Sequence, residues 1–361
     1  MRILITGASG FIGRALCIAL ADRGHQVTAQ VRRAAQVLTD PRVDSLVHAD
    51  LGGAALPEPE WQRTDVVIHL AAIAAVARGV QSNAAAKAYR AVNVDLTRHL
   101  AQQAAQAGVR GFVFLSSTRV YGSCAPAWVD HTTPAKPDEP YGASKRDAEQ
   151  ALEHLHQSAP GLAIQALRIP PVYGPGVKGG LGALLAWIAR GRPLPLGAAS
   201  APRSLLYLEN LTVALIACAE TVYAGAVAGA AAPAAVPADT RAGTIAPAQE
   251  SARDHAPAHP QAPTPAGFYR CDLLADHQSV SLADIIRTLS EGLGRPLRNW
   301  PIPTLPMKLL CQLVGKQAAW QRLAGAAEVD ASEFYRHYRF EPPVATHDGL
   351  LTTARNYAMM Q

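Results

Sequence analysis

The segment Thr6-Gly7-Ala8-Ser9-Gly10-Phe11-Ile12-Gly13 restricts the fold of this chain more than any other feature. Glycine recurs at every third position, straight after the apolar run Ile3–Ile5. A stretch of helical periodicity, Phe11–Arg23, follows at once and stops at Gly24. A strand feeding a helix through such a turn has a physical use. Gly7 lets the chain turn, Gly10 lets backbone N–H groups approach a pyrophosphate, and Gly13 lets the helix pack on the strand. The phosphates then sit at the helix N-terminus, where free N–H groups and the helix dipole favour negative charge. With Ser9, Phe11 and Ile12 completing the turn, the motif implies a dinucleotide site at the head of an α/β chain.

The alternation continues. Gln26–Val31, Val66–Leu70, Gly111–Leu115 and Leu162–Leu167 have strand length, while Asn93–Gly108 and Tyr141–Gln157 have helical spacing. Apolar strands alternating with helices predict a parallel sheet covered on both faces. From Pro170 to about Leu206, proline, glycine and short helices dominate, and Leu208–Tyr223 then reads as a helix. Residues 224–266 are dominated by Ala and Pro. Such a composition cannot bury enough surface to offset its ordering entropy, which predicts a flexible surface insertion. Structure is expected to resume with a strand at Phe268–Cys271 and a helix at Leu282–Gly292, with Ser281 as N-cap and Asp284 in the first turn. The tail is expected to hold one more helix, about Pro306–Leu313, before a mixed polar end.

Composition narrows the class. Of 361 residues, 49% are hydrophobic and 17% charged, which excludes a disordered chain and suits one large domain or two intimate ones. Cys17, Cys124, Cys218, Cys271 and Cys311 are scattered and never spaced CxxC. That excludes a disulfide scaffold and a zinc knuckle; no metal is expected, and a reducing, cytoplasmic setting is. A net charge of +5 without a long Lys/Arg run argues against nucleic acid and suits phosphorylated ligands. The sequence opens without a basic, cleavable apolar leader. Its most apolar window, Leu211–Val236, is broken by Glu220 and Pro233, so neither a signal peptide nor a transmembrane segment is expected.

The end of the second strand distinguishes the nicotinamide cofactors. An acidic residue there binds a ribose 2′-hydroxyl, whereas an arginine accommodates a 2′-phosphate. Here it reads Gln30-Val31-Arg32-Arg33, without a carboxylate. NADP(H) is therefore favoured over NAD(H), with Arg32 and Arg33 on the phosphate. Asp50 and Leu51, after the third strand, are expected at the adenine edge.

Tyr141-Gly142-Ala143-Ser144-Lys145 places a phenol and an ammonium on one face of a helix. A nearby ammonium draws a phenol, of ordinary pKa about 10, toward the working pH. It can then exchange a proton with a substrate hydroxyl or carbonyl. Ser116 and Ser117 follow the run Gly111–Leu115, where a hydroxyl can reach the same oxygen.

Together these segments resemble the extended short-chain dehydrogenase/reductases, within the NAD-dependent epimerase/dehydratase family. TGASGFIG, DVVIHLAA (Asp65–Ala72), Val92-Asn93, FLSSTRVYG (Phe114–Gly122), PYGASK (Pro140–Lys145), LRIPPVYGPG (Leu167–Gly176) and RSLLYLENL (Arg203–Leu211) fall in family order. The resemblance implies a Rossmann doubly wound parallel sheet with a smaller C-terminal substrate-binding lobe. Residues 1–171, 204–223 and 267–275 would form the first, and residues 172–203 and 276–361 the second. It implies a catalytic triad of Ser117, Tyr141 and Lys145, with Asn93 supporting the lysine. Leu70, Ala71, Ala72 and Pro170 would lie along the cofactor. The implied substrate is a UDP-linked sugar, met by Ser117, Thr118, Lys178 and Arg203, the last at the diphosphate. A homodimer is compatible with such an enzyme.

The family's dehydratases carry Asp-Glu directly after the catalytic hydroxyl. Thr118 and Arg119 stand there instead, so no acid is evident to protonate a leaving hydroxyl. SSTRVYG, RIPPVYGPGVKG, PLPLGAASAPRSL and GAAEVDAS are similar to bacterial 4-keto-sugar reductases of lipopolysaccharide and O-antigen synthesis. The expected activity is NADPH-dependent reduction of a UDP-4-keto-6-deoxy-N-acetylhexosamine. Two residues depart from pattern: Gly180 stands where that subgroup often has Asn, and Pro171 where epimerases and dehydratases commonly have it. The alternative is an NAD-dependent 4-epimerase using the same residues twice. A silent NADP(H)-binding regulator is disfavoured because Ser117, Tyr141 and Lys145 are all present.

Overall fold

Short runs of Val, Ile, Leu and Phe pair into one central sheet in the computed structural model, which describes residues 1–48, 56–74, 82–122, 126–194, 199–230, 267–296 and 325–361. In chain order the strands are β1 (Arg2–Thr6), β2 (Gln26–Val31), β3 (Val43–Val47), β4 (Val66–His69), β5 (Gly111–Ser117), β6 (Trp128–Val129), β7 (Ala163–Ile169), β8 (Val172–Tyr173), β9 (Pro202–Arg203), β10 (Leu206–Tyr207), β11 (Tyr269–Leu273), β12 (Val280–Ser281) and β13 (Glu328–Val329). The helices are α1 (Phe11–Asp22), α2 (Glu58–Gln62), α3 (Ser82–Tyr89), α4 (Leu96–Gln106), α5 (Pro140–Ser158), α6 (Gly179–Ala189), α7 (Leu208–Ala230), α8 (Leu282–Gly292), α9 (Ser332–Tyr338) and α10 (Thr346–Met359).

The sheet order is β11-β7-β5-β4-β1-β2-β3, and every pair is parallel. This is the doubly wound architecture expected above. Strand order reverses between β1 and β4, and open α/β sheets form their ligand crevice beyond the carboxyl ends of the strands at that point.

Burial follows strand position. Every residue of the central β5 is buried, whereas the edge strand β3 exposes Asp44, Ser45 and Val47. Alternate residues serve opposite faces. Ile3 and Ile5 join Leu16, Leu20, Leu211 and Leu215 on one side; Leu4, Val67, Phe112 and Phe114 join Trp61, Leu100 and Leu152 on the other. A separate apolar cluster gathers Tyr173, Leu185, Tyr207, Ile285, Leu289 and Leu350 from β8, α6, β10, α8 and α10.

Several boundaries differ from expectation. The helix expected from Asn93 starts at Ser82 and passes through a π-helical turn, Arg90–Asp95. β5 runs on to Ser117, so both serines belong to the strand. α7 continues to Ala230, seven residues into the stretch read as an insertion, because alanine prolongs a helix already started. The rest of that stretch, residues 231–266, and the helix expected at 306–313 lie outside the described residues.

The tail holds α9 and α10, which were not anticipated. The buried stripe of α10 is Thr346, Gly349, Leu350, Thr353 and Ala354. Its spacing is helical, but its residues are small and half polar, so hydrophobic periodicity is faint. α8 begins as expected, with a capping box between Ser281 and Asp284. Among the described residues no helix is long and apolar enough to cross a membrane, and no cluster of three or more His, Cys, Asp or Glu is placed to hold a metal.

Candidate active site

The glycine turn forms one wall of a cleft of about 640 Å³ at the β1/β4 crossover. Gly7 has a φ of 71°, and a Cβ there would stand 2.7 Å from the Ala71 backbone nitrogen. Any side chain would therefore push β1 and the end of β4 apart. Gly13 is pressed against the Gly7 carbonyl, which seats α1 on the turn. Gly10 is the N-cap of α1, and no acidic residue occupies the helix's first turn. The N–H groups of that turn are thus suited to an anion.

Ser9, Gly10, Leu70, Ala71 and Ala72 line this cleft, while Phe11, Ile12 and Gly13 form the helical turn behind them. Gln30, Val31 and Arg32 close the β2 end. Arg33 is exposed at the start of the next turn and is not part of the lining. Asp50 and Leu51 lie outside the described residues. The glycine cradle, the helix N-terminus and the apolar wall fit a dinucleotide.

His69, from the DVVIHLAA segment, lies beneath the turn, buried to 1% exposure. Its Nδ1 is 2.6 Å from Thr6 Oγ1 and its Nε2 is 3.0 Å from Thr97 Oγ1. Thr97 spends its hydroxyl proton on the Asn93 carbonyl. It therefore accepts from His69 Nε2–H, and Nδ1 accepts from Thr6. Burial drives the His69 pKa down to about 3, so this imidazole is neutral and structural. Sequence reasoning did not single it out.

Asn93 sits in the π-helical turn, which makes room to aim it inward. Its Oδ1 accepts from Ile73 N–H at 2.9 Å, and its Nδ2 donates to Ile73 O and Ser144 Oγ, both at 3.0 Å. The expected support of the lysine is thus indirect, through the neighbouring Ser144. Lys145 is wholly buried, donates to Leu115 O at 2.8 Å and stands 4.6 Å over the Phe114 ring. Burial lowers its pKa to about 8 while Glu149 opposes the fall.

Tyr141 projects from the first turn of α5, which opens with Pro140. Its ring is 5.9 Å from that of Tyr89, and its phenol lies near enough to Ser117 and Arg119 for both to act on its pKa. Burial raises the phenol's pKa, and Ser117 and the Arg119 charge oppose the rise. Here the structure departs from the simple Tyr/Lys picture. The Arg119 charge favours the phenolate, while Lys145 donates to the Leu115 carbonyl. Arg119 Nη2 pairs with Glu139 at 3.0 Å, and its backbone N–H donates to Ser117 Oγ at 3.2 Å. Arg119 and Glu139 thereby join the segments that carry Ser117 and Tyr141.

A second cleft, about 160 Å³, lies beside this centre and is lined by Thr118, Arg119, Tyr121, Pro170, Arg203 and Glu328, among others. Pro170, expected along the cofactor, lines this second cleft. Arg203 donates to the Gly325 carbonyl at 2.8 Å, which ties β9 to the segment leading into β13. Lys178, the exposed N-cap of α6, lines neither cleft.

Residues 3–230 match the family model described as the NAD dependent epimerase/dehydratase family. A UDP-glucose 4-epimerase of Vibrio cholerae is 28% identical over 358 residues, covering 98% of this chain and 95% of that protein. A UDP-2-acetamido-2,6-beta-L-arabino-hexul-4-ose reductase of Pseudomonas aeruginosa is 26% identical over 215 residues, covering 58% of this chain and 47% of that one. The crystal structure of UDP-glucuronic acid 4-epimerase from Bacillus cereus with NAD shares the fold: TM-score 0.71 at 20% identity, covering 100% of this chain and 97% of the other.

Proposed function

The chain belongs to the NAD dependent epimerase/dehydratase family, and from that premise we propose that it reduces a UDP-4-keto-6-deoxy-N-acetylhexosamine at C4 with NADPH, to make a sugar for an O-antigen-type surface polysaccharide. The observation that carries this reading is the wall at the end of β2. Gln30, Val31 and Arg32 line it, so the end of β2 offers a 2′-phosphate a guanidinium and no carboxylate; the cleft's carboxylate among the described residues, Asp95, comes from the π-helical turn. NADPH use in turn favours net reduction.

Nicotinamide, held along the cleft by the glycine turn, Leu70, Ala71 and Ala72, would supply the hydride for the keto carbon. Tyr141, whose proton burial retains at neutral pH, donates that proton to the C4 oxygen. Ser117 hydrogen-bonds both the phenol and the sugar oxygen, and Arg119 stabilises the phenolate left behind. Lys145, with its pKa near 8, stays cationic at neutral pH and is fixed by Leu115 O. It serves the cofactor ribose. Arg203 and Thr118 take the nucleotide end and the sugar in the second cleft. No acid follows Ser117 for dehydration, since Arg119 stands there and binds Glu139.

The full-length similarity to the Vibrio cholerae 4-epimerase favours a second reading, NAD-dependent 4-epimerisation by the same residues. One experiment separates them: incubate the protein with NADPH and UDP-4-keto-6-deoxy-GlcNAc, follow NADPH, and identify the product by NMR. Stoichiometric NADPH consumption with a 6-deoxy product supports the reductase. Tightly held NAD, 4-epimerisation of UDP-hexoses and no net NADPH loss would replace it with the epimerase.

A further inference from the structure

Glu149 stands on α5 four residues after Lys145 and eight after Tyr141, and its side chain is wholly buried. Three side chains converge on its carboxylate. Ser116 Oγ donates at 2.6 Å, Arg168 at 3.0 Å through Nε and 2.7 Å through Nη2, and Arg146 Nη1 at 3.1 Å. Arg168 also donates to Tyr121 Oη at 2.9 Å, and Tyr121 lines the second cleft. One carboxylate thus connects the Tyr141–Lys145 helix to the last residues of β5, to β7 and to the cleft wall. A buried ion pair adds little net stability over a well-packed apolar group, because desolvation offsets the attraction. Its directional bonds do fix register.

We propose that Glu149 is a positioning residue: held by Arg168 and Ser116, it sets the register of the catalytic helix against the strand that ends in Ser117. This rests on the assignment of Ser117, Tyr141 and Lys145 as the reacting groups. A slip of α5 along β5 would break the Ser116 and Arg168 bonds together. It would also move Tyr141 off Ser117 and Lys145 off Leu115 O.

The charge has a consequence that a merely structural contact lacks. Lys145 faces Glu149 on its own helix, the Leu115 carbonyl and Phe114 ring on β5, and His69 on β4. Glu149 in turn faces Arg146 on α5, Ser116 on β5, Arg168 on β7 and the Cys271 thiol on β11, which burial keeps protonated. Of these groups, Glu149 is the carboxylate that holds the Lys145 pKa up against burial.

The test uses the full chain with Glu149→Gln, which keeps the shape and removes the charge, and Ser116→Ala, which keeps the Arg168 pair and removes the tie to β5. Lys145 is titrated by NMR of 13Cε-lysine, without substrate, and turnover is measured with NADPH and the UDP-4-keto sugar. In Glu149→Gln the Lys145 pKa should fall below that of the wild type, because the carboxylate charge that opposes burial is gone. Its kcat should fall about 10–100-fold with KM within about threefold, and the basic limb of the pH profile should move to lower pH. Ser116→Ala should melt like wild type and lose about 3–10-fold in kcat. An unmoved Lys145 titration, or a kcat within about threefold of wild type, in folded Glu149→Gln overturns the proposal. If Glu149→Gln does not fold, an unchanged kcat in Ser116→Ala overturns it. If the wild type itself does not turn over this sugar, the proposed function fails, and the Lys145 titration still decides the role of Glu149.

Discussion

The floor beneath Tyr141 and the joint between the sheet and the third apolar cluster are each built on a buried carboxylate, with different partners. Glu149 meets two guanidinium groups and a serine. Asp276 meets neutral donors: Tyr207 N–H at 3.0 Å, Asn210 Nδ2 at 2.8 Å and Tyr173 Oη at 2.9 Å. Asn210 also exchanges hydrogen bonds with the Val344 backbone, just before α10. Glu149 is thus paired with formal charge, while burial pushes the Asp276 carboxyl above its ordinary pKa and its donors oppose the rise. The first region orients reacting groups. The second holds β8, β10, α7 and α10 together. If this division is right, changes in the first should cost turnover and changes in the second should cost stability.

Tyr141→Phe should show the largest effect, a loss of about 10²–10⁴-fold in kcat. Its melting temperature should stay within about 2 °C of wild type. A mutant within about threefold of wild-type turnover would remove Tyr141 from the chemistry.

Asp276→Ala should do the reverse. It leaves three buried donors without their acceptor, at about 1–3 kcal/mol each before relaxation, so urea unfolding should show a loss of about 2–4 kcal/mol. The residual kcat per folded molecule should exceed that of Tyr141→Phe. The pH dependence has a definite sign. A carboxyl whose folded pKa is raised contributes stability that is complete below its unfolded pKa and declines as pH rises through the folded value. The stability gap between wild type and Asp276→Ala should therefore widen as pH is lowered from neutral toward the ordinary carboxylate range. A gap that narrows would show that Asp276 is stabilised as the anion.

Arg32→Ala belongs to neither region and should be the mildest. A hydrogen bond to a charged group contributes about 1.5–3 kcal/mol, and 1.4 kcal/mol is a factor of ten. The variant should weaken NADPH binding about tenfold while leaving NADH nearly unchanged, as read from both dissociation constants at fixed low salt. Equal losses for the two cofactors would show that Arg32 acts on the fold and not on the phosphate.

Local pattern accounts for the parts of this molecule that depend on neighbours in the chain. The glycine turn, the parallel sheet of apolar strands, the Ser281–Asp284 capping box and the Tyr141/Lys145 spacing all rest on contacts within a few residues or on period-2 burial. Such contacts are written directly into residue order. The helix α10 escaped because its buried stripe is Thr, Gly and Ala around a single leucine. Long-range partners were decided elsewhere. Thr6 meets His69, Asn93 meets Ser144, Ser116 and Arg168 meet Glu149, Lys145 donates to Leu115, and the Arg119 charge favours the Tyr141 phenolate. These pairings depend on which strands lie side by side and in which register. Periodicity says that a strand is buried without saying against what; only the folded sheet, by setting β4, β5 and β7 near one another and β5 and β7 under α5, chooses the partner of each buried polar group.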